Sequence, residues 1–191
     1  MIINKNKIIN AIEQLSKGNI IIYKTDTIYG LGADATNSKA IEKINNLKGR
    51  NIPLSIMISN IKSINKYAYI NKEQNKKISK LLPGPYTILL NARKNDLSYL
   101  VQQESIKIGI RIPNNQFCLN LLKRYNKPII TTSINFHGEK SLNKIEEIQK
   151  IFFNINIYGD KNNIDSNGST IIDFTINPPN VLRLGDGTYK I

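Results

Sequence analysis

Tryptophan is absent from the 191 residues, and Cys and His occur once each. A lone Cys forms no internal disulfide, and with one His it falls two ligands short of a structural zinc site. The expected setting is therefore reducing and cytoplasmic. Long apolar runs are also missing. The opening stretch MIINKNKIINAIEQL interrupts its Ile residues with Lys, Asn and Glu, so neither a signal peptide nor a membrane span is expected there. Acidic side chains are few, 14 Asp and Glu against 27 Lys and Arg, which leaves a formal charge of +13.

What fills the chain instead is 36 Ile, 27 Asn and 22 Lys, with Arg used only 5 times. These three are residues of A/T-rich codons, so much of the charge is expected to be compositional. Lys should then be scattered over every solvated face rather than gathered against a polyanion. The densest group, Lys72, Lys76, Lys77 and Lys80, falls on a predicted helix whose other side carries Ile78 and Leu81. It reads as a solvated face before an RNA contact.

A chain of this length buries a core of its own, since roughly 150 residues already remove about two-thirds of the unfolded surface from water. One domain over 1–191 is expected. Ile8, Ile9, Ile12 and Leu15 form a helical stripe ended by Gly18, and residues 19–24 read as a strand. Residues 25–35 read as a loop. The next helix starts near Ser38, buries Ala40, Ile41, Ile44 and Leu47, and stops at Gly49. Further strands are predicted over 54–59, 86–92, 106–112, 128–133, 155–158, 170–174 and 181–184, and further helices over 117–125 and 141–153. Asn71-Lys-Glu-Gln74 has capping-box spacing for a helix that stops before Pro83-Gly-Pro85. Helices among about seven strands predict an α/β fold, a mixed sheet covered on both faces.

Two familiar site types fail on inspection. Gly30-Leu-Gly32-Ala-Asp-Ala35 matches the dinucleotide fingerprint, but residues 25–29 separate it from the preceding strand, and the strand at 54–59 ends without an acidic residue for a ribose. No phosphate-binding P-loop motif occurs. Cys118 shares a helical face with Leu121, Leu122 and Tyr125, which marks a core thiol, and His137 lies in a polar loop without a second metal ligand. Short polar elements do recur at strand and helix ends: Thr25-Asp-Thr27, Lys48-Gly-Arg50, Gly109-Ile-Arg111, Thr132-Ser133-Ile-Asn135, Ser169-Thr170 and Arg183-Leu-Gly185. Three of the five Arg lie in them. A planar guanidinium grips phosphate or carboxylate better than an ammonium does, and strand ends facing a crevice are where α/β sheets bind ligands.

Together these elements resemble the YrdC/TsaC family of L-threonylcarbamoyladenylate synthases, nearly end to end. The family pattern runs P-T-[DE]-T-x-Y-G-L-G, K-x-R, P-G-P-x-T, G-x-R-x-P, S-x-N, S-T and R-x-G. This chain has Thr25-Asp-Thr-Ile-Tyr-Gly-Leu-Gly32, Lys48-Gly-Arg50, Pro83-Gly-Pro-Tyr-Thr87, Gly109-Ile-Arg-Ile-Pro113, Ser133-Ile-Asn135, Ser169-Thr170 and Arg183-Leu-Gly185. The resemblance implies a twisted open α/β sheet with a large concave cavity. It also implies a nucleotidyltransferase that makes threonylcarbamoyl-AMP and pyrophosphate from L-threonine, bicarbonate or CO2, and ATP. Proteins of the same pathway would pass the threonylcarbamoyl group to tRNA, which this chain would bind weakly if at all.

By the same resemblance Lys48 and Arg50 are catalytic and hold the triphosphate, with Ser133, Asn135 and Arg183 completing the ATP site. Thr27, Arg111 and Ser169 would hold threonine. No protein group is assigned to a metal, and Mg²⁺ would arrive with the nucleotide. Lys48 and Arg50 are both expected in solvent at a helix end. Two departures are visible: Lys24 stands where the family has Pro, and the segment from Arg50 to Pro53 is about two residues short. Rival readings are a non-catalytic RNA-binding module, and the same fold inside larger carbamoyl-transfer proteins of hydrogenase maturation, which carry further segments.

Overall fold

The computed structural model describes residues 2–3, 8–135, 139–158 and 165–189. His137 lies outside them. Ten strands are present: β1 (Ile2–Ile3), β2 (Ile21–Lys24), β3 (Tyr29–Gly32), β4 (Ser55–Met57), β5 (Tyr86–Asn91), β6 (Lys107–Arg111), β7 (Ile129–Ser133), β8 (Asn156–Tyr158), β9 (Thr170–Asp173) and β10 (Asn180–Arg183). They form one sheet in the order β1-β8-β2-β3-β7-β4-β6-β5-β9-β10. Four pairs are parallel (β1·β8, β2·β8, β4·β6, β5·β9) and the other five antiparallel, so the sheet is mixed.

The expected seven strands are thus too few, and the largest correction is β3. Its Gly30 and Gly32 read as loop residues, yet Ile21 to Lys24 pair with Gly32 to Tyr29 as an antiparallel hairpin. Glycine is needed there because the Tyr23 ring lies across Gly32, where a Cβ would collide with it. The hairpin also disposes of the dinucleotide fingerprint, since its glycines are strand residues and open no helix.

Among the described residues seven α-helices accompany the sheet: α1 (Ile8–Ser16), α2 (Ser38–Lys48), α3 (Ile64–Tyr67), α4 (Lys72–Ile78), α5 (Tyr99–Gln102), α6 (Gln116–Tyr125) and α7 (Ile145–Ile151). Their ends follow local chemistry. Asn37 caps α2 by accepting from the Ala40 N–H at 3.1 Å, and Gly49 closes it with φ of 61°. The capping box of α4 is complete, with Asn71 and Gln74 bonded reciprocally at 2.8 and 2.9 Å. Lys72, Lys76, Lys77 and Lys80 are all exposed, while Ile78 is buried. In α1 the buried stripe is Ile8, Ala11 and Leu15; Ile9 faces outward. α7 is shorter than the predicted 141–153.

Helices cover both sheet faces. On one, α1 and α6 pack Ala11, Leu15, Phe117, Cys118 and Leu121 against Ile21, Tyr23, Met57, Ile129 and Tyr158. On the other, α2, α5 and α7 join the larger cluster around Ile22, Leu31, Ile56, Ile110 and Ile130. Cys118 is therefore a core thiol, and burial pushes its pKa up.

A cavity lies where the α1/α6 face runs out. Ser55, Gly109 and Thr131 stand in register with one another, two residues from Met57, Arg111 and Ile129 respectively. By the strand period of two they continue that same face. Their side chains are small, and a Cβ on Gly109 would run into Ser55. The sheet is hollow here because its floor carries so few atoms.

Candidate active site

Each of the three Arg picked out by position reaches this hollow by a different route. Arg111 ends β6, with its side chain 7 % exposed, and donates through Nη2 to Asp26 Oδ1 at 2.9 Å and to Thr27 Oγ1 at 3.2 Å. The β2–β3 turn holds those partners. Thr25 Oγ1 accepts from the Thr27 N–H at 3.1 Å and donates to the Ile28 carbonyl at 2.6 Å, while Asp26 Oδ2 accepts from the Asn114 N–H at 3.1 Å. One edge of the guanidinium is thereby fixed, and its buried Nε keeps a hydrogen with no partner among the described residues.

Arg183 owes its direction to a β-bulge. In β10, Val181 pairs with Ile172 of β9, but Arg183 pairs with Ile171, one partner residue further on instead of two. Regular alternation would place residues 181 and 183 on one face, and Val181 packs on the core. The extra residue turns Arg183 onto the cavity face instead, a common use of bulges beside active sites. Its Nε and Nη2 donate to the Ser169 carbonyl at 3.2 and 2.7 Å, and Nη2 reaches Ser169 Oγ at 3.2 Å. Burial, and then the nearby charge of Arg111, lower its pKa.

Arg50 follows the α2 cap, half-buried, and its Nε also lacks a partner among the described residues. Lys48 behaves otherwise and corrects an expectation: it is 2 % exposed, not solvated. Its ammonium donates to the Ser133 carbonyl at 2.7 Å, the Asn135 carbonyl at 3.3 Å and Asn135 Oδ1 at 2.5 Å. Three donors thus meet three acceptors at the end of β7. Ser133 Oγ donates to the same Asn135 Oδ1 at 2.8 Å. Burial first, and the Arg50 charge second, push the Lys48 pKa down to about 8.

These groups surround one cavity of about 200 Å³, lined by Arg50, Arg111, Ser133, Ser169 and Arg183 among others. Ligand clefts commonly enclose roughly 300–1,000 Å³, so the closed part suits a small molecule and a larger one extends past the mouth. Of the eight residues singled out, five line the cavity. Thr27 is one hydrogen bond away through Arg111, and Lys48 and Asn135 are joined to Ser133. The short segment after Arg50 shapes the wall, since Ile52, Pro53 and Leu54 all line it, and Lys24 ends β2 opposite Tyr29. Sequence reasoning passed over Ser55 and Thr131, polar residues that carry no signal until the strands are in register, and gave Asp26 no role of its own within the Thr25-Asp-Thr27 element.

A family model for the Sua5/YciO/YrdC domain, described as telomere recombination, matches residues 13–185. The chain belongs to this family. A Methanocaldococcus jannaschii relative named "Putative threonylcarbamoyl-AMP synthase" is 41% identical over 140 residues, which cover 72% of this chain and 65% of that protein. Among Sua5/YciO/YrdC structures, P. abyssi Sua5 complexed with L-threonine superposes with a TM-score of 0.85 at 28% identity, over 97% of this chain and 57% of that one. E. coli YciO superposes with a TM-score of 0.87 at 26% identity, over 98% of this chain and 96% of that one. The chain thus spans under two thirds of the synthase relative and of Sua5, and nearly the whole of YciO. The shared fold confirms the mixed α/β sheet with helices on both faces.

Proposed function

We propose that the chain makes L-threonylcarbamoyl-AMP and pyrophosphate from L-threonine, bicarbonate or CO2, and ATP. The observation that carries this reading is the convergence of Arg50, Arg111 and Arg183 on one small cavity, two of them with buried donors left for a ligand. Relatives named as the synthase, and a related structure holding L-threonine, support the choice of substrates.

In this reading the threonine amine adds to CO2 and loses a proton, giving a carbamate. A carbamate oxygen then attacks the α-phosphorus in line, and the bond to the β-phosphate oxygen breaks to release pyrophosphate. The protein positions reactants and offsets charge, and no general base is required. Arg111 takes the threonine carboxylate, with Thr27 and Ser169 beside it. Arg50 and Arg183 meet the nucleotide phosphates beyond the mouth, with Ser133 at the edge. Lys48 and Asn135 hold that edge in place. Mg²⁺ would come with the triphosphate rather than be held by protein side chains, and would offset its charge. The described residues offer hydroxyls and guanidiniums at the wall and no group of three His, Cys, Asp or Glu.

The reading is tested by pyrophosphate release from ATP, expected only when threonine and bicarbonate are both present. Arg50→Ala should lower kcat/KM by about 100-fold, the scale of losing one charge-assisted donor in the transition state. Added tRNA should stay unmodified until proteins of the same pathway are supplied, and any tRNA affinity should fall steeply with salt. Salt-resistant tRNA binding without ATP turnover would favour the RNA-binding module. No helix among the described residues is long and apolar enough to cross a membrane.

A further inference from the structure

Thr87 is the last residue of the Pro83-Gly-Pro-Tyr-Thr87 run. It lies on β5 opposite Ile171 of the parallel strand β9, which brings it beside Ser169 at the entry to β9. Both side chains are buried, both line the cavity, and their hydroxyl oxygens are 2.7 Å apart. Ser169 Oγ also accepts from Arg183 Nη2. A guanidinium only donates, so one lone pair of Ser169 is already committed.

The two hydroxyls carry two protons, and the bond between them uses one. Neither has a third partner among the described residues. One proton is therefore left for whatever occupies the cavity. If Thr87 donates to Ser169, the Ser169 oxygen receives two hydrogen bonds, one of them from a cation, and its own proton is turned outward. That proton is also the stronger donor, because the guanidinium polarises the hydroxyl it binds. An anionic oxygen in the cavity selects this arrangement over the reverse one.

We propose that Thr87 is a positioning residue that aims the Ser169 hydroxyl, so that the pair presents a single directed donor to an oxygen of the bound amino acid. This rests on the reading of the cavity as a threonine site. The test combines Thr87→Val, Thr87→Ser, Ser169→Ala and the double variant Thr87→Val/Ser169→Ala, with threonine binding followed by calorimetry and ATP by its KM. Thr87→Val should weaken threonine by about 10-fold and move the ATP constant by less than about 2-fold. Thr87→Ser should restore threonine binding. On the Ser169→Ala background, Thr87→Val should change nothing further, because its effect runs through the missing hydroxyl.

Wild-type threonine affinity in Thr87→Val would overturn the proposal, as would additive losses in the double variant. So would a loss shared equally by threonine and ATP, which marks a general structural role. Failure of the underlying reading looks different: the wild-type protein itself would then bind no threonine, and the proposal would fall with its ligand.

Discussion

Lys48→Met is expected to cost activity and stability together. The substitution keeps an apolar stem of similar length but strips the donor from the Ser133 and Asn135 carbonyls and from Asn135 Oδ1. Stranding such acceptors costs about 1–3 kcal/mol, which in a chain of this size lowers Tm by roughly 2–10 °C. With the end of β7 loosened, Ser133 no longer stands in fixed relation to Arg50, and kcat/KM should fall by about 100-fold. Melting curves and pyrophosphate release check the two halves. A variant with the wild-type Tm would show that this amine does not hold the strand end.

The same residue sets a pH dependence whose sign is fixed by linkage. Its folded pKa, about 8, lies below the ordinary 10.5, so between those values the unfolded chain binds a proton that the folded one has released. Stability contributed at this site therefore rises with pH across the window, and below about 8 the cost of burying the charge is fully felt. The difference in Tm between wild type and Lys48→Met should widen from pH 7 to pH 9. A constant difference would place the amine outside its buried setting.

Arg111→Lys carries the other large expected effect. A lysine keeps the charge that Asp26 requires, but a single ammonium cannot serve Asp26 Oδ1 and Thr27 Oγ1 and also present the separate Nε–H that lies buried without a partner among the described residues. The threonine KM should rise by about 10- to 100-fold, the scale of a hydrogen bond to a charged group, while the ATP KM stays near wild type. Steady-state kinetics in each substrate decide it. A shift confined to ATP would move Arg111 to the nucleotide side of the cavity.

Much of the site could be read from Arg usage. In a chain that spends its positive charge on Lys, Arg50, Arg111 and Arg183 stood out at element ends, and all three line one cavity. What could not be read is how they get there. The turn of Arg183 depends on a one-residue register shift in β10, which no pattern of residue types announces. Lys48 was misjudged because a Lys in the last helical turn before a Gly cap ordinarily faces water. Its spacing held the better clue, since Ile41, Ile44 and Lys48 follow i, i+3, i+7, the same stripe that buries α2 in the core. The strand β3 was missed because two glycines in four residues argue for a turn, and it is the pairing with β2 and β7 on either side that makes them strand residues.

The buried thiol of Cys118 has a practical consequence. Its Sγ donates to the Lys24 carbonyl at 3.4 Å, and burial keeps its proton on at neutral pH. The chain has no other cysteine. A cysteine introduced at Leu184, exposed just beyond the bulge that turns Arg183, would be the one thiol a maleimide dye reaches. A fluorophore fixed there would sit next to Arg183 of the cavity wall, so that ligand binding can be followed with no background from the native sequence.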